Sequence, residues 1–204
     1  GCGAVENTKT KKPRGNPGYL MAVRISDGSL LWKHAVNDPE RSPAIQGSTV
    51  FAGSGVNGRK VVALRMEPDS DLADKAVVRE IWSTAVEFPI TTPITLSGGL
   101  VIAGSGTGTF QRAGGTAEGM VVALDQVSGT VKWKHKLRDS VFGAIAVRDS
   151  VAIVTCKSGE VTALNVSNGD VLWSRTPVPG QAILAGSAFT GSYIYTVTTR
   201  GYLI

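Results

Sequence analysis

Two cysteines and two histidines in 204 residues leave little material for covalent cross-links or metal centres. Cys2 and Cys156 form no CxxC, no haem-attachment pattern and no adjacent pair, so there is no disulfide framework. Their number says little about the redox compartment. No apolar run approaches the roughly 18 residues needed to span a bilayer as a helix. Only 18% of residues are charged, while 42% are hydrophobic, a balance that excludes a disordered chain. The net charge is +5. Lys9, Lys11, Lys12 and Arg14 fall in one Gly/Pro-bearing stretch with no aromatic residue between them. That pattern reads as a solvated loop and not as a nucleic-acid surface.

What the chain does have is 25 glycines and a repeated phrase. The phrase runs from Ala22 through Gly28 to Trp32, from Ala123 through Gly129 to Trp133, and from Ala163 through Gly169 to Trp173. In each copy another glycine (Gly18, Gly119, Gly159) stands fourteen residues before the tryptophan. An interrupted copy leads from Ala63-Leu64 to Ile81-Trp82, and the four tryptophans are 50, 51 and 40 residues apart. Fixed spacing of this kind marks one supersecondary unit copied along a single array, 1–204.

A second phrase follows each tryptophan: Ser42-Pro43 to Gly53, Thr92-Pro93 to Gly104, Gly143 to Val154, and Ala188 to Val197. Each reads as two short strands around a tight turn, and each tryptophan phrase supplies two more. Four antiparallel strands, A to D, in 40 to 50 residues are one blade of a β-propeller. Pro43 and Pro93 suit the start of the inner strand A. The expected architecture is all-β: partial blades at 18–36 and 185–204, with full blades near 42–86, 91–137 and 142–176. Residues 67–77 lengthen one C–D turn, and 106–118 lengthen one B–C loop. About four blades are thus present, read as an arc of a seven- or eight-bladed propeller; the alternative is a closed four-bladed ring. The start, Gly1-Cys2-Gly3, aligns with Gly53-Ser54-Gly55, so Cys2 reads as a blade position and not as a lipoprotein cleavage site. Cys2 and Cys156 then stand blades apart, which disfavours a bridge. The expectation is a fragment of a longer protein.

The phrases resemble the pyrroloquinoline quinone (PQQ) repeat, the tryptophan-docking blade of quinoprotein alcohol dehydrogenase-like propellers. That family's phrase is Ala-x-Asp-x-x-Thr/Ser-Gly-x-x-x-Trp. Residues 123–133 match it throughout; residues 163–173 carry Asn165 and Asn168, and residues 22–32 carry Arg24 and Asp27, at two of its positions. The resemblance implies that Trp32, Trp82, Trp133 and Trp173 dock each blade on its neighbour. It does not imply one activity. The same blade builds PQQ- and calcium-dependent dehydrogenases, and also the propeller lipoprotein of the bacterial outer-membrane assembly machinery, which carries no quinone.

Chemistry is thin in the residues themselves. No catalytic or metal-binding cluster is evident, and His34 and His135 repeat one position two residues after a tryptophan, as packed or rim side chains do. In propellers of this type the D–A links and B–C loops open on one face. Candidate binding residues there are Asn37, Arg41, Glu87, Arg112, Glu118, Arg138 and Asp139. The expected function is a non-catalytic scaffold that holds a protein or carbohydrate partner on this loop face, outside the cytoplasm (periplasmic or secreted), with no cofactor evident in this stretch. The alternative is part of an alcohol or sugar dehydrogenase using PQQ and calcium, with the remaining site residues elsewhere.

Overall fold

The structure, a computed structural model, describes residues 5–6, 13–14, 18–68, 76–109, 117–201 and 203–204. Cys2, the basic stretch 9–12 and Arg112 lie outside the described residues. Every described regular element is a strand. A small pair, β1 (Val5–Glu6) and β2 (Pro13–Arg14), precedes the hairpin β3 (Tyr19–Val23) and β4 (Leu30–Ala35). Three four-stranded antiparallel sheets follow in strict chain order. The first is β5 (Ala44–Gln46), β6 (Thr49–Gly53), β7 (Lys60–Pro68) and β8 (Ala76–Ala85). The second is β9 (Thr95–Ser97), β10 (Leu100–Gly106), β11 (Gly119–Asp125) and β12 (Val131–Leu137). The third is β13 (Ala146–Arg148), β14 (Val151–Thr155), β15 (Val161–Asn165) and β16 (Val171–Arg175). A hairpin of β17 (Ala188–Thr190) and β18 (Tyr193–Tyr195) ends the series. This is a β-propeller arrangement of four-stranded blades. A closed four-bladed ring would pair β18 with β3; these strands lie in separate two-stranded sheets, so the described blades form an open arc.

The core lies between sheets, because each four-stranded sheet is covered on both faces. Strand β7 shows how. Val61 and Ala63 face the following sheet, packing with Ile90, Val101, Ala103 and Val122. Val62 and Leu64 face the preceding hairpin, packing with Leu20, Val36, Val50 and Ala52. The same division recurs one blade on, where Val121 and Ala123 join Ala152, Val154 and Leu164. A strand buried on both sides needs apolar residues at successive positions. That is why Val61-Val62-Ala63-Leu64 and Val121-Val122-Ala123-Leu124 are runs and not alternations.

Each C–D pair carries the same irregularity. Ala22, Ala63, Ala123 and Ala163 oppose Trp32, Trp82, Trp133 and Trp173, but the next residues oppose Leu30, Glu80, Val131 and Val171. One extra residue, at Leu31, Ile81, Lys132 or Leu172, thus forms a bulge just before each tryptophan. Bulges bend a strand and re-aim its side chains. Beyond the bulge, Trp82 reaches the turn of the next sheet, where its Nε1 donates to the Gln126 carbonyl at 3.2 Å. Trp133 does the same with the Val166 carbonyl at 2.8 Å. The turn is shaped to receive it. Gly129 has φ +72 and lies under the Trp82 ring, where an added Cβ would stand 2.5 Å from Cδ2. The Asp125 carboxylate fixes the same turn by accepting from the Val127 and Ser128 amides and the Ser128 hydroxyl. Asn165 repeats this with the Ser167 amide and hydroxyl. Trp133 is buried at 7% exposure, whereas Trp173 is 38% exposed.

No described helix is long and apolar enough to cross a membrane.

Candidate functional site: a cleft on the loop rim

Consecutive sheets leave a wedge-shaped gap at the ends where their connections run. The links after β4, β8 and β12 and the loops after β6 and β10 meet there and enclose a cleft of about 330 Å³. Glu40 and Arg41 come from the first link; Val56 and Arg59 come from the β6–β7 turn. Pro89 and Thr91, the segment Gly106–Thr109 and Phe142 close the opposite side. Apolar and charged side chains therefore line one small volume, the composition of a binding site.

The backbone around it is held in unusual conformations. Three described non-glycine residues have positive φ, and two of them, Asp38 (φ 56) and Arg59 (φ 47), flank this cleft. Asp38 is buried; its carbonyl accepts from the Gly55 amide at 2.8 Å, and its carboxylate accepts from the Asn57 side-chain amide at 3.4 Å. This ties the first link to the β6–β7 turn and sets Arg41 and Arg59 on one rim. Burial pushes the Glu40 carboxyl above its ordinary value, the Asp38 charge pushes it further, and Arg41 partly opposes both. On the far wall, the buried Thr91 hydroxyl donates to the Val141 carbonyl, and the Gly108 amide donates to Ser140 Oγ at 2.7 Å. Lys157 Nζ donates to the Thr109 carbonyl from behind.

The six candidate binding residues that the structure describes are dispersed. Arg41 lines the cleft. Asn37 is exposed beside it, its carbonyl close to Gly58. Asp139 Oδ1 accepts from the Ser140 amide at 2.7 Å and supports the far wall. The Glu118 carbonyl accepts from Thr107, and its amide donates to Thr107 Oγ1 at 3.0 Å, so its main chain shapes that wall. Glu87 lies away from the cleft, 4.0 Å from Lys136 in an exposed pair, and Arg138 is a solvated rim residue. Arg59, Glu40, Thr91 and Phe142 were not singled out in the sequence. Arg59 ends the six-residue connection 54–59 between β6 and β7 and carries no spacing signal; Phe142 meets it only through the fold.

A second polar group lies between the second and third sheets. Ser174 Oγ donates to Glu160 Oε1 at 2.5 Å, and Cys156 Sγ stands 3.0 Å from Ser158 Oγ and 4.0 Å from Glu160 Oε2. Burial pushes the Cys156 thiol up, which disfavours the nucleophilic thiolate. Burial pushes His135 down, against the pull of Glu160. Among the described residues no three His, Cys, Asp or Glu side chains converge as metal ligands do. A calcium ion takes six to eight oxygens; among the described residues Glu40 is the one carboxylate lining the cleft. Taken alone, the described lining residues supply too few oxygen ligands for calcium.

Fold and rim together define a repeat propeller of the PQQ type. The family model described as outer membrane protein assembly factor BamB matches residues 74–204, and the chain belongs to that family. The chain is similar to the protein of that name from Yersinia pestis, at 27% identity over 137 residues, 65% of this chain and 31% of the relative. It is similar to the one from Francisella tularensis at 30% over 86 residues, 42% of this chain and 18% of the relative. The chain thus spans less than a third of the curated relatives it matches. Among solved structures, BamB from Moraxella catarrhalis superposes with a TM-score of 0.64 at 21% identity, covering 86% of this chain and 49% of that one. A quinohemoprotein alcohol dehydrogenase from Pseudomonas putida HK5 superposes with a TM-score of 0.66 at 13% identity, covering 94% of this chain and 38% of that one. At these identities both speak to the fold alone.

Proposed function

We propose that this chain is part of a non-catalytic scaffold that holds a protein partner on its loop rim, outside the cytoplasm, during assembly of outer membrane proteins. The family match over residues 74–204 carries this reading. The rim supports it: a rigid two-sided core presents a preformed cleft on loops, where binding usually sits. A protein partner is favoured over a carbohydrate because the described lining sets the guanidinium groups of Arg41 and Arg59 beside the apolar side chains of Val56, Pro89 and Phe142. The tryptophans serve in this reading as blade-docking residues.

The test uses the full-length protein carrying this chain. Removing its gene lowers the fraction of folded β-barrel protein in the outer membrane, and restoring the gene recovers it. The opposing result is tight, stoichiometric binding of PQQ with Ca²⁺ and dye reduction on adding an alcohol or aldose, which makes the protein a dehydrogenase.

A further inference from the structure

Resting on the scaffold reading, we infer that the rim cleft takes an acidic side chain of the partner polypeptide, carried beside an apolar residue. Arg41 and Arg59 come from different connections yet line one cleft of about 330 Å³. The bonds from Gly55 and Asn57 to Asp38 hold those two connections together, so the spacing of the guanidinium-bearing segments is fixed before any partner arrives. Guanidinium forks match carboxylates in geometry and charge. In the same lining, Val56, Pro89 and Phe142 offer carbon surface. A ligand that uses both must carry its carboxylate within a few ångströms of an apolar group, which adjacent residues of an extended peptide do. Glu40 shapes the selectivity. Its charge is partly offset by that of Arg41, so a partner anion is accommodated with its charge toward Arg59. A cationic ligand would meet two arginines in the lining.

The experiment follows chemical-shift changes at the cleft of the full-length protein as capped peptides are added. The probe is acetyl-Leu-Glu-Leu-amide, with acetyl-Leu-Gln-Leu-amide as its neutral match and sodium acetate as the bare carboxylate. The Glu peptide is expected to bind at least about tenfold tighter than the Gln peptide and than acetate, at an ionic strength near 0.15 M. Arg41→Gln and Arg59→Gln should each weaken the Glu peptide about five- to tenfold and leave the Gln peptide unchanged. Arg41→Lys should recover part of the loss, which separates charge from fork geometry. Equal binding of the two peptides, or indifference to both arginine variants, overturns the inference. Saturation by acetate as tight as by the Glu peptide overturns it as well, in favour of a small-anion site. The scaffold reading is scored separately: full-length Arg41→Gln that still restores barrel assembly, with peptide discrimination lost, shows that the scaffold acts without this cleft.

Discussion

At Gly169 an added methyl group would stand 2.6 Å from Cε3 of Trp133, and the backbone is left-handed at φ +77. At Gly28 the backbone is equally left-handed, at φ +70, but nothing lies within 4 Å. The pair therefore separates two costs that usually come together. Gly28→Ala should destabilise by about 1–2 kcal/mol, the left-handed penalty alone. Gly169→Ala should cost a further 1–3 kcal/mol, roughly, from overlap with the indole. Urea denaturation of the two variants measures the difference, and equal losses would show that the ring yields freely. The tryptophans grade in the same way. Trp133→Ala should cost about 3–5 kcal/mol, and Trp173→Ala, at a partly exposed ring, about 1–2 kcal/mol.

Asp125 and Glu40 respond to acid in opposite ways. Hydrogen bonds from Ser128, then the Lys132 ammonium, hold Asp125 down to about 2. A depressed carboxyl contributes stability that is complete above its unfolded value near 4 and is lost as pH falls toward 2. Asp125→Ala should therefore narrow the gap in Tm between pH 6 and pH 2.5. Glu40 moves the other way, raised by burial and by Asp38. Acidic-peptide binding should strengthen as pH falls through the range, above that of an ordinary carboxyl, in which Glu40 takes up a proton next to the incoming carboxylate. The other charges around it are Asp38, Arg41 and Arg59, with Asp139 and Lys157 behind the far wall. Glu40→Gln should flatten that pH dependence in the same titration.

At the scale of the element, the bulge before each tryptophan decides which way the ring points. Side chains along a strand alternate, so removing one residue reverses every face beyond it. Lys132 is the extra residue before Trp133, and its own side chain is exposed, 3.2 Å from Asp125. Lys132→Ala should change stability by no more than about 1 kcal/mol. Deletion of Lys132 should instead turn Trp133 out of its contact and shift its fluorescence to longer wavelength, with a loss approaching that of Trp133→Ala. The strands themselves are legible in the sequence because Gly, Pro and Trp recur at fixed offsets. The bulge is not: its residue is Leu31, Ile81, Lys132 or Leu172 in the successive copies, with nothing chemical in common. The rim site is legible only in part. Arg41 stands in a link that recurs after every tryptophan and could be placed on the loop face. Arg59 and Phe142 are 83 residues apart, and only the stacking of two sheets brings them to one cleft.

At the scale of the whole molecule, the tryptophan contact is directional. A blade gives its indole to the blade after it and lends a turn to the blade before it. The sheet β9–β12 does both, receiving Trp82 at Gln126 and giving Trp133 to Val166. The stability of such an array is then a sum of unit terms and neighbour terms, like spins coupled along a line, and not one global quantity. In the 204-residue chain, amide exchange should be slowest in β10 and β11 and fastest in the β3–β4 and β17–β18 hairpins. Uniform protection from end to end would contradict this. The same substitution made in successive copies of the phrase would then carry a different cost at each, set by how many neighbours its blade must hold in place and not by the contacts of the residue alone.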